Sequence, residues 1–155
     1  MLMTDEHHAF RAMVREFVER EINPHIDGWE AAGMMPLHDI FSKMATLGML
    51  GLEYEPEYGG QGAEHMFTVI LAEEFGRCDH GALPMALGVQ VDMATPSLAR
   101  FGTHEQKEQY LAPAMRGEMV ASIAVSEPDH GSDVAGIRTR AVRDGDEWVI
   151  NGSKM

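Results

Sequence analysis

The residues whose types and spacing could do chemistry are concentrated in the stretch Ala124–Asp133, which begins within the apolar run Val120–Val125. Glu127 and Asp133 have the side chains needed for an acid pair that transfers protons. Glu127, however, precedes Pro128 in a turn, and Asp133 is placed to cap a short helical turn with its carboxylate. We therefore favour structural roles for both acids. On its own, such a Pro-Asp-x-Gly pattern after an apolar run is typical of an ordinary turn.

Helical spacing of apolar residues dominates the chain as far as Gly117. Thr4 is a suitable N-cap for a first helix, and Pro24 should end that helix and leave Trp29 in a connection. Further along, Thr103 and the glutamine three residues later form a capping-box pattern. The predicted helical segments are Thr4 to about Ile22, Leu37–Leu47, Met66–Gly76, the stretch Leu83–Phe101 in which Thr95 caps a new helix at Pro96, and Thr103 to about Met115.

The pattern changes near Glu118, where β-like segments replace helical ones. Met119–Val125 and Arg138–Val142 read as strands, and Asp144-Gly145 offers a hairpin turn before Trp148–Asn151. A run of helices followed by strands predicts an α+β fold. We expect a helical domain over residues 1–118 and the first strands of a β-domain over residues 119–155.

Composition excludes several classes of function. The formal net charge of -13, with a pI of about 4.9, argues against binding to nucleic acid. No apolar run approaches the ~20 residues that span a bilayer, and the first residues do not resemble a secretory signal. Cys78 is the only cysteine, which fits a reducing compartment, so a cytoplasmic location is expected. The eight histidines do not form a ligand set, and we predict no metal site.

Three motifs resemble one known family. The stretch Ala124–Asp133, the loop Pro56–Gly62 and the end Asn151–Met155 are similar to segments of the acyl-CoA dehydrogenases, and the resemblance covers nearly the whole chain. His130 departs from the pattern, because the family usually has a small residue there. It either alters a phosphate contact or points to solvent from a loop. In the family, Asn-Gly-Ser-Lys-Met is followed at once by a Trp and a hydroxyl residue, so we expect the chain to be an N-terminal part of a longer enzyme.

The resemblance implies FAD as the cofactor. Residues 123–132, beginning with Ile123, would cross the edge of the flavin ring, with Val125 and Ser126 meeting it through backbone and hydroxyl groups. Gly131 would allow close approach, and Ser132 would contact phosphate or the pantetheine of the substrate. Extended backbone suits such an edge because alternate residues present their N–H and C=O groups in the same direction.

The resemblance also implies the substrate and the reaction of fatty-acid β-oxidation. An acyl-CoA would be converted to the trans-2-enoyl-CoA, and electrons would pass to an electron-transfer flavoprotein. The family's catalytic base is a glutamate far downstream, so we expect no catalytic residue in this chain and no activity from it alone. Gln90 and Ala94 would line the acyl tunnel, where a small Ala94 leaves room for a long or branched chain. The neighbouring residues 84–102 resemble those of citronellyl-CoA dehydrogenases. Members are usually homotetramers.

Two alternatives remain open. Acyl-CoA oxidases, nitroalkane oxidases and flavin monooxygenases share this architecture but differ in how they handle oxygen. A chain of this length could also be a non-catalytic helical module that binds a partner through its open β edge.

Two common nucleotide sites are not predicted. No Gly-x-Gly-x-x-Gly follows a strand, and Gly59–Gly62 is not continued by the Lys-Ser/Thr of a P-loop.

Overall fold

The structure is a computed structural model that describes residues 3–155. It divides into two compact units, with the boundary between Ser122 and Ile123. The first unit is helical, and the second carries a two-stranded antiparallel sheet. The predicted α+β class is therefore confirmed. The helical unit includes residues 119–122, so the predicted domain boundary after residue 118 stays a prediction.

Eight α-helices are described, several of which are extended by π-helical or 3-10 turns. The π-helical turns cover Val18–Ile22, Val89–Ala94 and Lys107–Leu111, and the 3-10 turns cover Asn23–His25, Pro56–Tyr58 and Val134–Gly136. The α-helices are α1 (Asp5–Phe17), α2 (Ile26–Ala32), α3 (Leu37–Thr46), α4 (His65–Phe75), α5 (Ala82–Gly88), α6 (Thr95–Phe101), α7 (His104–Gln106) and α8 (Ala112–Met115).

Helix α1 begins where the sequence predicts. The N–H of His7 donates to Thr4 Oγ1, and the N–H of Thr4 donates to His7 Nδ1, so a histidine completes the capping box. The predicted connection after Pro24 is wrong, because Trp29 lies in α2. Pro24 stands in the first turn of a 3-10 helix, where its missing N–H breaks no helical hydrogen bond, and the chain turns into α2 without a loop.

The stretch from α5 to α6 is continuous, and Thr95 is not the predicted N-cap. Thr95 Oγ1 donates to the carbonyl of Gln90 at 2.6 Å instead. Pro96 has no N–H to offer the preceding turn, and the Tyr54 hydroxyl lies 3.0 Å from the carbonyl of Val91 and 2.8 Å from Thr95 Oγ1. Two hydroxyl groups therefore donate to carbonyls in the turn before Pro96, where the proline offers no N–H. The capping box at Thr103 is confirmed.

The main core lies between α1, α3, α4 and α5. A buried acid joins two of these helices. The Glu74 carboxylate on α4 accepts from Arg11 Nη1 at 2.7 Å and from Arg15 Nε and Nη2 at 2.8 Å, both arginines being on α1. Because only 2% of the Glu74 side chain is exposed, these charged hydrogen bonds are shielded from water. The fully buried residues of this core include Val14, Val18, Ile22, Phe41, Met44, Met49 and Leu83.

The second unit contains strands β1 (Arg140–Asp144) and β2 (Glu147–Asn151). They pair antiparallel, with Asp144 opposite Glu147, so Gly145 and the residue after it form a two-residue hairpin loop. All ten strand residues are exposed within the described chain. The hairpin is thus confirmed, but the predicted strand over residues 119–125 is wrong, because that apolar segment runs without a ladder partner.

Candidate functional site

The predicted cofactor-contacting residues lie together in the second unit. Ser126, Gly131 and Ser132 are exposed, Val125 is partly buried, and Ile123 is half exposed. A Cβ added at Gly131 would meet no atom within 4 Å, so open space lies beside that backbone. These residues are therefore accessible to a ligand in the described chain.

Glu127 anchors this segment from within the unit. Its Oε2 accepts from the N–H of Arg138 at 2.8 Å, and its Oε1 accepts from the N–H of Thr139 at 2.9 Å and from Thr139 Oγ1 at 2.5 Å. Lys154 Nζ lies 3.1 Å from Oε1. Hydrogen bonds from the Thr139 hydroxyl, which has the largest effect, and from the Arg138 N–H lower the pKa of Glu127 to about 2. Only 8% of Glu127 is exposed, so a permanent negative charge is held inside the unit.

The end of the chain lies against the same segment. Lys154 Nζ donates to the carbonyl of Val125 at 2.8 Å, and the N–H of Met155 donates to the carbonyl of Ser126 at 3.0 Å. Among residues 3–155, the N–H groups of Val125 and Ser126 have no hydrogen-bond partner. The segment therefore engages its acceptors internally and leaves two backbone donors, together with the Ser126 hydroxyl, for a ligand.

A tight turn follows Ser126. The N–H of Glu127 donates to the carbonyl of His130 at 2.8 Å, and the N–H of His130 returns the bond at 3.1 Å. The expectation that His130 points to solvent is wrong. Its Nε2 is buried, and a Cβ on Gly136 would lie 2.5 Å from its Nδ1, so the ring packs where only glycine leaves room. Asp133 precedes the 3-10 turn Val134–Gly136, but its carboxylate makes no capping hydrogen bond.

The predicted tunnel residues belong to the helical unit. Gln90 is fully buried, and its amide is engaged at both ends. Nε2 donates to the carbonyls of Ala114 and Met119 at 3.2 and 3.1 Å, and Oε1 accepts from the N–H of Ala121 at 2.6 Å. Gln90 thus holds the segment that leaves the last helix. Ala94 is partly exposed in the same π-helical turn, and the contact of both residues with an acyl chain stays a prediction.

The same π-helical stretch borders a cavity of about 190 Å³ within the helical unit. Val91, Asp92 and Pro96 form one wall, and the loop before α4 contributes Glu53 and Tyr54. Burial, and secondarily the Glu53 carboxylate, raise the pKa of Asp92. The lining is mostly apolar and includes Glu53 and Asp92, whereas Gln90 and Ala94 are not part of it.

Residues 3–155 contain neither a metal-ligand cluster nor a membrane-spanning helix. No group of three or more His, Cys, Asp or Glu side chains in that range is arranged to hold a metal ion. None of the helices described there combines the length and the apolar character needed to cross a membrane.

Sequence reasoning identified this segment but missed its anchor. The sequence predicts a turn at Glu127 and assigns no function to Thr139 or Lys154. A carboxylate next to a proline indicates a turn, but no sequence pattern pairs it with a threonine 12 residues later. The Tyr54 contact to the proline-containing helix spans 37 residues and was missed for the same reason.

Comparison with known proteins supports the family resemblance that the sequence motifs indicate. The model of the acyl-CoA dehydrogenase N-terminal domain matches residues 4–118. Probable acyl-CoA dehydrogenase YngJ of Bacillus subtilis is 36% identical over 98% of this chain, which covers 40% of that protein.

Solved structures of two acyl-CoA dehydrogenases are similar to this chain in fold. The acyl-CoA dehydrogenase from Geobacillus kaustophilus is similar with a TM-score of 0.87 and 39% identity, over 98% of this chain and 39% of that one. A glutaryl-CoA dehydrogenase from Mycobacterium smegmatis in complex with FADH2 is similar with a TM-score of 0.89 and 31% identity, over 99% of this chain and 39% of that one. The chain thus spans about 40% of the length of these relatives.

Proposed function

Since this chain belongs to the acyl-CoA dehydrogenase family through its N-terminal domain, we propose that it forms part of an FAD-dependent enzyme that oxidises an acyl-CoA thioester to the trans-2-enoyl-CoA. The observation that carries the proposal is the anchored segment Val125–Ser126, whose two backbone N–H groups and one hydroxyl have no partner among residues 3–155. The FADH2 bound by the similar Mycobacterium smegmatis enzyme supports FAD as the cofactor.

The chemistry of this segment fits a flavin. The edge of the flavin ring presents acceptors at N1, O2, O4 and N5 and a single N–H at N3, so a protein segment that meets it needs mainly donors. Val125 and Ser126 have free N–H groups, while their carbonyls accept from Lys154 Nζ and from the N–H of Met155, respectively. Gly131 and Ser132 are exposed at the next turn, where they would approach the phosphates or pantetheine.

Within this chain the proposed work is binding and orientation. FAD, when bound, supplies the acceptor for the hydride that leaves the substrate β-carbon. The N–H groups of Val125 and Ser126 would orient the ring edge and tune its electron affinity. The α-proton is assigned to a glutamate outside this chain. Glu127 is unsuited to accept that proton, because its pKa of about 2 keeps it a weak base.

The test uses the enzyme that contains this chain. The purified protein should show a flavin absorption band, and anaerobic addition of acyl-CoA should bleach that band. A panel of straight and branched acyl-CoAs identifies the substrate class. If none of them bleaches a flavin-loaded enzyme, the dehydrogenase proposal is refuted. Rapid reoxidation of the reduced flavin by air would favour an acyl-CoA oxidase instead.

The 155-residue chain alone is proposed to be inactive, because it would lack the base that removes the α-proton. This is tested by supplying the purified chain with FAD, an acyl-CoA and an artificial electron acceptor. Turnover above that of free FAD would show that a group within residues 1–155 replaces the missing base.

The preferred acyl chain is proposed to be long or branched, because Ala94 is small and partly exposed. Replacing Ala94 with Glu should shift the preference of the enzyme toward shorter straight chains by narrowing the tunnel. Relative kcat/KM values across a chain-length series measure this shift. An unchanged profile would remove Ala94 from the substrate site.

The partner and the assembly are proposed from the same family membership, and the location is proposed from the single cysteine. We propose an electron-transfer flavoprotein as the electron acceptor, a homotetramer as the assembly and the cytoplasm as the location. Reduction of an electron-transfer flavoprotein in a coupled assay tests the first, and light scattering of the holoenzyme tests the second. Cell fractionation tests the third.

A further inference from the structure

One buried carboxylate in the second unit is not used by the proposed chemistry. Glu127 receives hydrogen bonds from two consecutive backbone N–H groups and one hydroxyl, and an ammonium group lies 3.1 Å away. These donors come from the entrance to β1 and from the residues after β2. One side chain therefore links the candidate flavin segment to both ends of the hairpin.

The linkage extends to the residues beside Glu127. Lys154 contacts both the Glu127 carboxylate and the carbonyl of Val125, and Met155 holds the carbonyl of Ser126. Gly152 packs so closely on Thr139 that an added Cβ would lie 2.2 Å from its Oγ1. The carbonyls of Val125 and Ser126 are thus both engaged, whereas their N–H groups have no partner among residues 3–155.

We propose that Glu127 is a positioning residue for the flavin: its carboxylate clamps Arg138, Thr139 and Lys154 so that the N–H groups of Val125 and Ser126 hold a fixed position for the ring edge. The inference rests on the proposed function. It assigns Glu127 no contact with substrate or cofactor. Its effect is transmitted through Lys154 and the backbone of the segment.

A carboxylate, rather than any polar side chain, is required by the donors. Each oxygen accepts from a backbone N–H. An ionised carboxylate has two acceptor oxygens and no hydrogen-bond donor of its own, so it can pair with both N–H groups. Glutamine would place an NH2 group against one of these N–H groups, so either Arg138 or Thr139 would lose its partner. The charge also attracts Lys154, which glutamine would not.

The first test uses the 155-residue chain and amide hydrogen exchange. Glu127→Gln should speed exchange at the N–H groups of Arg138, Thr139 and Met155 by about tenfold or more, the effect expected for losing a hydrogen bond to a charged group. Glu147→Gln is the matched control, because Glu147 is exposed in the same unit. Amides of α1 and α4 should not change in either variant, which separates a local clamp from general destabilisation.

The second test uses the flavin-loaded enzyme. Glu127→Gln should shift the flavin absorption band and the flavin reduction potential and should lower kcat more than it raises KM for acyl-CoA. Glu147→Gln should match the wild type in each measurement. Thr139→Val and Lys154→Met each remove one partner of Glu127 and keep its carboxylate. Both variants should therefore give smaller changes in the same direction. They serve as the test if Glu127→Gln does not fold.

The outcomes separate the two proposals. A wild-type enzyme without flavin would overturn the proposed function and this inference with it. A flavin-loaded wild type whose Glu127→Gln variant matches Glu147→Gln in exchange, potential and kcat would overturn the inference alone. Unchanged Thr139→Val and Lys154→Met variants would overturn it as well. Faster exchange together with a shifted potential supports it.

Discussion

The buried carboxylate of Glu74 gives a quantitative test of the helical unit. Glu74→Gln is expected to lower the free energy of unfolding by about 2–3 kcal/mol. The carboxylate accepts three hydrogen bonds from Arg11 and Arg15, and a glutamine would keep one acceptor atom and turn an NH2 group toward the other guanidinium donors. The perturbation keeps the side-chain volume, so it isolates the charge.

The magnitude follows from burial. Removing one partner from a fully buried ion pair costs about 3–5 kcal/mol, because the other charge stays unpaired. Here the Arg11 and Arg15 side chains are 25% and 43% exposed to solvent, so both guanidinium groups can be hydrated when the carboxylate is removed. We therefore place the loss below that range. Glu73→Gln is the control, because Glu73 is 55% exposed and, among residues 3–155, pairs with Arg11 alone, so its loss should stay within about 1 kcal/mol.

The assay is urea unfolding followed by circular dichroism at 222 nm, which reports on the helices. If Glu74→Gln and Glu73→Gln differ by less than about 0.5 kcal/mol, the burial argument is refuted.

The pH dependence gives a second check. Hydrogen bonds from Arg15, opposed by burial, lower the folded-state pKa of Glu74. Its stabilisation is therefore present above the unfolded-state pKa and is lost as pH falls through the lower folded-state pKa, so the gap between wild type and Glu74→Gln should narrow in acid.

Three further predictions concern the same unit, each measured as the change in unfolding free energy in urea. Gln90→Leu should cost about 2–4 kcal/mol, because it leaves two carbonyls and one N–H without the buried amide that pairs them. Tyr54→Phe should cost about 1 kcal/mol, since it removes only the hydroxyl beside Thr95 and Val91, and a neutral result would mean that water replaces it. Gly60→Ala should cost about 2 kcal/mol or more, because the new Cβ would lie 2.1 Å from the carbonyl oxygen of Tyr54, whereas the same change at Gly28, which has open space, should have a small effect.

Local signals in the sequence predicted most of the helices. The capping boxes at Thr4 and Thr103 mark helix starts that depend on only a few neighbouring residues. The prediction failed at Pro24 and Thr95, where a proline was expected to separate two helices. In both places the chain continues helically, because 3-10 or π turns and, at Thr95, the distant Tyr54 hydroxyl compensate for the missing N–H.

The apolar segment at residues 119–125 shows a second limit. Its β-branched composition predicts a strand, yet a strand requires a neighbour with which to form a ladder. In the described chain, Gln90 takes the N–H of Ala121 while Lys154 and Met155 take carbonyls further on. Side chains and the chain end thus provide the partners that a neighbouring strand would otherwise provide.

The sequence by itself determined the family, the α+β class and most of the helical segments, because motifs and periodicities are local and can be recognised without knowledge of contacts. The position of the flavin segment stays a prediction from the same motifs. Only the tertiary structure decided which groups in that segment are free. Glu127 meets Thr139 and Lys154, and Gln90 meets Ala121, across separations of 12 to 31 residues. Such pairings depend on how the backbone folds back on itself, and the spacing of residue types along the chain carries no record of them.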